Sequence, residues 1–195
     1  MQDSCSMEEC DDCSCEDSYV PSMATVGEMA PDFTVDAAFG QTVKEISLSD
    51  YRGKWVVLLF YPLDFTFVCP TEIKAFAEAY DQFKKMDTEV IGMSVDSVHS
   101  HMAWMRGDLG EMPFPMASDM TKEVSYDYNV LIEDAGISLR GVFLIDPEGI
   151  LKMAVVHDNS IGRNVDEVLR VVQAAQTGDL CPINWKPGQK TLGKA

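Results

Sequence analysis

The sequence predicts an α/β fold, a central mixed β-sheet flanked by helices, and three stretches carry that expectation. Trp55 to Tyr61 is a short apolar run of β-branched and aromatic residues bounded by Arg52-Gly53-Lys54 and Pro62, the pattern of a strand buried on both faces. Ile73, Phe76, Ala77, Tyr80 and Phe83 then recur at steps of three and four, the stripe of one amphipathic helix, before Glu89 to Val95 returns to strand character. A strand, helix, strand unit requires a crossover and therefore parallel strands. Ser138 to Ile145 and Ile150 to Val156, joined by Asp146-Pro-Glu-Gly149, form a hairpin and add antiparallel pairing, so the sheet is mixed.

The remaining elements follow in order. Ordered structure is expected from near Val26, with a preliminary hairpin over Thr34 to Val43, then Ser47-Leu-Ser49 and Asp50-Tyr51 leading into the central strand. Ser97 to Arg106 reads as a helix, Gly107 to Pro115 as a loop and Lys122 to Tyr128 as a short helix. Asn164-x-x-Glu167 is a capping-box variant opening a helix with Val165, Val168, Leu169 and Val172 on one face. No internal repeat is visible. Three regions result: an N-terminal stretch over 1–20, a folded domain over 21–178 and a C-terminal arm over 179–195.

The joint between the central strand and the helix holds a cysteine. Pro70 suits the first helical position, which puts Cys69 at the cap, where unpaired backbone N–H groups and the positive end of the helix dipole favour a thiolate over a thiol. The residues alone leave two readings open, a buried structural cysteine and a prepared nucleophile.

The wider segment Phe60-Tyr-Pro-Leu-Asp-Phe-Thr-Phe-Val-Cys-Pro-Thr-Glu-Ile73, with Pro62-x-x-x-Thr66-x-x-Cys69 inside it, resembles the active-site motif of the peroxiredoxins, and most closely the typical two-cysteine group near the alkyl hydroperoxide reductase C-type enzymes. The resemblance extends over residues 26 to 188 and implies a thioredoxin-like fold and a thiol-dependent peroxidase that needs no cofactor. Attack of sulfur on one peroxide oxygen leaves negative charge on the other, so the reaction needs alignment and polarisation above all. Pro62 would shield the sulfur from water, and the Thr66 hydroxyl would contact peroxide or thiolate. Arg140, in Ile-Ser-Leu-Arg-Gly-Val-Phe, matches the family's active-site arginine; without the resemblance it reads as half of a surface ion pair. Glu72 favours the helix dipole in any protein, and by resemblance also orients that arginine.

Oxidation of Cys69 to sulfenic acid is reversible when a second thiol condenses with it. By resemblance that thiol is Cys181, in Gly178-Asp-Leu-Cys-Pro-Ile-Asn-Trp-Lys-Pro-Gly188, contributed across a homodimer that often assembles into a decamer. Thioredoxin or a flavin-dependent disulfide reductase would then reduce the disulfide by exchange. Two departures from the oxidation-sensitive members stand out: Gly107-Asp-Leu-Gly110 replaces Gly-Gly-Leu-Gly, and the chain ends at Ala195 without a C-terminal Tyr-Phe helix. The expectation is that Cys69 unwinds and resolves quickly and so resists oxidation to sulfinic acid.

Composition narrows the partners. A net charge of −17 over 195 residues argues against nucleic acid and anionic membrane surfaces. No apolar run approaches the length needed to span a bilayer, and the N-terminus is acidic where a signal peptide would be basic, so a cytoplasmic location is expected. Residues 1–20 carry seven acidic and no basic residues together with Cys5, Cys10, Cys13 and Cys15. Such a stretch lacks the apolar content to fold, and three roles stay open: a solvated tail, a soft-metal site for zinc or copper(I), and a redox segment exchanging with the catalytic thiols. His99, His101 and His157 lack metal-ligand spacing and are expected at the surface or in caps; Trp104 and Trp185 are expected to pack, the latter over Cys181; the methionines are expected to fill the core.

Rival functions are weighed by position. A dithiol exchanger of the thioredoxin kind needs a thiol three residues after Cys69, and Glu72 stands there; a cysteine phosphatase needs an arginine in the following turn, where Ile73 and Lys74 stand. A ring-forming holdase or scaffold with incidental thiols belongs to a different class, and loss of peroxide turnover in Cys69→Ser separates it from a peroxidase.

Overall fold

The computed structural model describes residues 23–194. The N-terminal acidic stretch, with Cys5, Cys10, Cys13 and Cys15 and the metal and redox roles considered for them, lies outside the described residues.

The core is a seven-stranded sheet. Its strands are β1 (Thr34–Phe39), β2 (Thr42–Ser47), β3 (Trp55–Phe60), β4 (Thr88–Ser94), β5 (Met116–Ser118), β8 (Arg140–Ile145) and β9 (Leu151–His157), in the spatial order β2-β1-β5-β4-β3-β8-β9; β6 (Leu131–Ile132) and β7 (Ile137–Ser138) form a separate pair. Strands β3, β4 and β5 run parallel, and β1/β2, β1/β5, β3/β8 and β8/β9 are antiparallel. The helices are α1 (Cys69–Glu78), α2 (Tyr80–Lys85), α3 (Val98–Arg106), α4 (Glu123–Asp127) and α5 (Val165–Gln176). The expected mixed sheet flanked by helices is present.

Strand β3 explains why the run Trp55 to Tyr61 had to be apolar throughout. Its alternate residues enter opposite cores: Val57, Leu59 and Tyr61 face α1, α2, α3 and α5, while Val56, Leu58 and Phe60 face the N-terminal segment, the 3-10 turn at Leu48–Tyr51 and α4. Each of these side chains is fully or almost fully buried, worth about 1.5–3 kcal/mol apiece against exposure.

Several boundaries differ from expectation for identifiable reasons. The single helix expected after Cys69 is two, divided at Ala79, yet Ile73, Phe76 and Phe83 keep one buried face, and the Phe76 and Phe83 rings stack across the break at 5.9 Å. Cys69 is the first helical residue and Val68 the cap, so Pro70 takes the second position, where its missing N–H is equally harmless. The first hairpin extends to Ser47. The closing strand starts at Arg140, with Ser138 assigned to the β6/β7 pair. Strand β5 is an addition: three residues just past the expected loop, too short for periodicity, that join β1 to β4. Asn164 caps α5 as expected, its side chain accepting from the Glu167 N–H at 3.1 Å.

His101 corrects an expectation. The surface or cap position foreseen for it is instead a fully buried one on α3, with Nδ1 2.9 Å from Asp64 Oδ2 and Nε2 3.2 Å from the Ala117 carbonyl. Its partner is distant in sequence, so no spacing announced it. His157 is likewise half-buried at the end of β9, whereas His99 is exposed. Trp104 and Trp185 are both buried, as expected of packing residues.

Candidate active site

The loop from Tyr61 to Val68 delivers Cys69, and buried polar contacts fix its path. The Tyr61 and Ser100 hydroxyls donate to the two Asp64 oxygens at 2.9 and 2.7 Å, and the Asp64 N–H donates to Asp96 Oδ2 at 2.9 Å. Phe65 takes φ = +54°, a left-handed conformation that costs energy for a bulky side chain and is held here by those flanking anchors. Pro62 is buried at the start of the loop. The Thr66 hydroxyl, expected to serve sulfur or peroxide, donates to the Leu63 carbonyl at 3.1 Å and helps close the turn.

Cys69 is fully buried at the N-terminus of α1, and one guanidinium reaches it: Arg140 Nη1 lies 3.4 Å from the sulfur. The same nitrogen donates to Glu72 Oε2 at 2.6 Å, and Arg140 Nε donates to the Asn159 carbonyl at 2.9 Å. Arg140 is the first residue of β8, beside the central strand, and Glu72 lies on the first turn of α1. Sheet and helix thus bring Cys69, Glu72 and Arg140 together from positions some seventy residues apart. Close approach is needed next to Arg140: a Cβ at Gly141 would stand 2.7 Å from the Phe143 ring and 2.9 Å from Val130, so only glycine fits there without displacement.

A second arginine completes the cluster, and the sequence reading passed over it. Arg163 precedes the cap of α5; its backbone N–H and Nε donate to Glu72 Oε1 at 2.7 and 2.9 Å, and Nη2 donates to Oε2 at 3.1 Å. Its Nη1 donates to the Phe60 carbonyl at 2.7 Å and to the Gly141 carbonyl, tying together the ends of β3 and β8. A signal existed: a cation beside a helix N-terminus opposes the dipole and calls for a compensating anion. Burial alone would raise the Glu72 pKa, but the hydrogen bonds and charge of Arg163, joined by the charge of Arg140, outweigh it and hold the carboxyl below its ordinary range.

Charge counting shows what this pocket favours. With Glu72 ionised, the buried triad of Glu72, Arg140 and Arg163 carries one net positive charge, and an ionised sulfur at Cys69 would bring the cluster to neutrality. Buried charges persist when paired and hydrogen-bonded, so the cluster suits a nucleophilic sulfur and an anionic leaving oxygen.

Cys181 lies apart from this cluster, half-buried at the other end of α5. Its sulfur is 3.8 Å from the Ala174 carbonyl and 3.6 Å from the Thr177 hydroxyl. Cys69 and Cys181 are both free thiols. The segment Gly107-Asp-Leu-Gly110 touches the active-site helix through Lys74 Nζ, which donates to the Asp108 carbonyl at 2.8 Å.

Comparison with known proteins adds an independent line. The AhpC/TSA family matches residues 26–154, and the C-terminal domain of 1-Cys peroxiredoxin matches residues 173–195. The chain is 52% identical to the putative peroxiredoxin YkuU of Bacillus subtilis (strain 168), over 86% of this chain and 97% of that one. It is 54% identical to the chloroplastic 2-cysteine peroxiredoxin of Chattonella marina var. antiqua, over 86% and 91% of the two chains. Among solved structures, the reduced 2-Cys peroxiredoxin of Plasmodium vivax superposes with a TM-score of 0.83 at 44% identity, covering 85% of this chain and 91% of the other. The AhpC of Enterococcus faecalis superposes with a TM-score of 0.78 at 34% identity, over 82% and 100%.

Proposed function

The chain belongs to the AhpC/TSA family as a typical two-cysteine peroxiredoxin, a thiol-dependent peroxidase, and from that premise we propose the role of each residue in its reaction. The Cys69 sulfur attacks one oxygen of hydrogen peroxide or an organic hydroperoxide. The O–O bond breaks, Cys69 becomes a sulfenic acid, and the other oxygen leaves as water or an alcohol after taking up a proton. Arg140 neutralises the charge that moves from sulfur to the leaving oxygen, Glu72 and Arg163 hold Arg140 in place, and Pro62 and Thr66 shape the loop that presents the sulfur. The observation that carries this reading is the 3.4 Å approach of Arg140 Nη1 to a fully buried Cys69 sulfur.

Cys181 then condenses with the sulfenic acid, releasing water and leaving a disulfide. A dithiol protein such as thioredoxin, or a flavin-dependent reductase, returns both thiols by exchange. We place the chemistry in the cytoplasm and in a homodimer that assembles further into a decamer. An open sheet edge at β9, where Val156 is 41% exposed, the exposed Ile161 in the segment that follows it, and Phe67, 96% exposed within the active-site loop, support such assembly.

Peroxide consumption with dithiothreitol as reductant tests the assignment. The wild type turns over and Cys69→Ser does not; treated with one equivalent of peroxide in the absence of dithiothreitol, Cys181→Ser accumulates the sulfenic acid without forming the Cys69–Cys181 disulfide. Equal peroxide consumption by Cys69→Ser contradicts it.

A further inference from the structure

Arg170, on α5, has no part in the cluster around Cys69, yet it bridges the helix and the C-terminal arm. Nε and Nη2 make a two-pronged pair with the Glu167 carboxylate at 2.7 Å each, and Nη1 donates to the Trp185 carbonyl at 3.1 Å. Trp185 is 4% exposed, and its indole N–H donates to the Gln189 carbonyl at 3.0 Å. The arm folds back on itself: the Leu180 N–H donates to Gly193 and the Leu192 N–H to Leu180, each at 2.8 Å, and the Thr191 hydroxyl donates to Asp179 at 2.8 Å. Cys181 is therefore enclosed in a closed loop, with its sulfur on the last turn of α5 and Arg170 pinning the far side. The Arg170 guanidinium is also stabilised in its charged form, chiefly by the Glu167 hydrogen bond.

Resolution cannot proceed from this arrangement. A disulfide needs its two sulfurs about 2.05 Å apart, and Cys69 is fully buried while the Cys181 sulfur is engaged with Ala174 and Thr177. The arm has to leave its seat. We propose that Arg170 is a positioning residue for the resolving step: by holding the Trp185 carbonyl it keeps Cys181 docked on the end of α5, and its release sets how fast the Cys69 sulfenic acid becomes a disulfide. In that step the Cys181 sulfur bonds to the Cys69 sulfur, the S–O bond breaks, and the hydroxyl departs as water with the Cys181 proton. No further oxidant or reductant is consumed. The inference rests on the assignment of Cys69 and Cys181 made above.

Stopped-flow tryptophan emission after mixing reduced protein with peroxide separates the two steps. Sulfenic acid formation is proportional to peroxide concentration, and resolution is independent of it. Arg170→Met is expected to leave the first step unchanged and to speed the second about fivefold, the scale of one partly exposed charged hydrogen bond. Arg170→Lys, which keeps a donor for the carbonyl, falls between. Sulfinic acid at Cys69, read by mass spectrometry in excess peroxide, decreases in the same order. Glu167→Gln, which loosens the two-pronged anchor at an exposed site, shows a smaller acceleration and decides the matter should Arg170→Met fold poorly. An unchanged or slower second step in these variants, with the first step intact, overturns the proposal. A second step that survives Cys181→Ser instead overturns the assignment beneath it.

Discussion

Arg140 Nη1 stands between a carboxylate and a buried sulfur, 2.6 Å from Glu72 Oε2 and 3.4 Å from Cys69 Sγ, so a single nitrogen couples the two. The carboxylate in turn takes three hydrogen bonds from Arg163. Reactivity at Cys69 should therefore respond to changes at Glu72 and Arg163, which contact Arg140 or its carboxylate partner.

Glu72→Gln tests the coupling. It leaves two buried guanidinium groups without their shared anion, a change that costs roughly 3–5 kcal/mol in comparable buried pairs. The denaturation midpoint should fall accordingly, and kcat/KM for hydrogen peroxide should drop by about ten- to a hundredfold as Arg140 loses its orientation. Glu72→Asp, which retains the charge but shortens the reach, should recover part of the stability and less of the activity.

Arg163→Met should be as damaging as Arg140→Met to peroxide turnover and more damaging to folding. Arg163 also bonds the Phe60 and Gly141 carbonyls at the ends of β3 and β8. Those acceptors are left unsatisfied, each costing about 1–3 kcal/mol. Urea denaturation of the two variants side by side, with turnover measured in the same preparations, gives the comparison.

Gly141→Ala should destabilise the protein by about 1–3 kcal/mol, because a new methyl must displace Phe143 or Val130 in a packed core. Displacement of β8 moves its first residue, so peroxide reactivity should fall even though no charged group is altered. A crystal structure of the variant would show whether the Arg140 to sulfur distance has lengthened.

Acid should unfold the protein through carboxylates stabilised in the fold. Although burial alone would raise its pKa, Glu89 accepts from Lys84, Lys54 and Tyr80 and is brought from its ordinary 4.5 down to about 2. Glu72 shifts in the same direction. A depressed pKa means that the unfolded chain binds the proton first, so the stabilisation is complete above the unfolded value and is lost as pH falls through the folded one. Asp96 and Asp119, raised chiefly by burial, act in the opposite sense. The larger shift at Glu89 should dominate, and urea midpoints should decline steadily between roughly pH 5 and pH 2. Glu89→Gln should lower stability at neutral pH and flatten that decline.

How much of this was legible in the sequence depended on whether a residue's role was local. Strand β3 and helix α1 were readable because burial on two faces demands an unbroken apolar run and burial on one face demands a helical stripe. Cys69 was readable because strand, proline and helix meet at it, and Arg140 and Cys181 because their neighbours resemble a known motif. Arg163 was legible only as a cation set against a helix dipole, and His101 not at all, since their partners, Glu72 for one and Asp64 for the other, are brought close only by tertiary structure. Strand β5 was hidden by its three-residue length. The Thr66 hydroxyl, expected to contact peroxide or thiolate, donates to the Leu63 carbonyl three residues earlier, a local bond that its spacing from Cys69 did not announce.

The most direct test is to treat the Cys181→Ser protein with a single equivalent of hydrogen peroxide, trap sulfenic acid with a dimedone-type reagent, and map the adduct by mass spectrometry. The adduct should appear on Cys69, and its rate of formation should collapse in Arg140→Met made in the same background. Trapped oxygen on any other residue, or an undiminished rate without the guanidinium, contradicts the account.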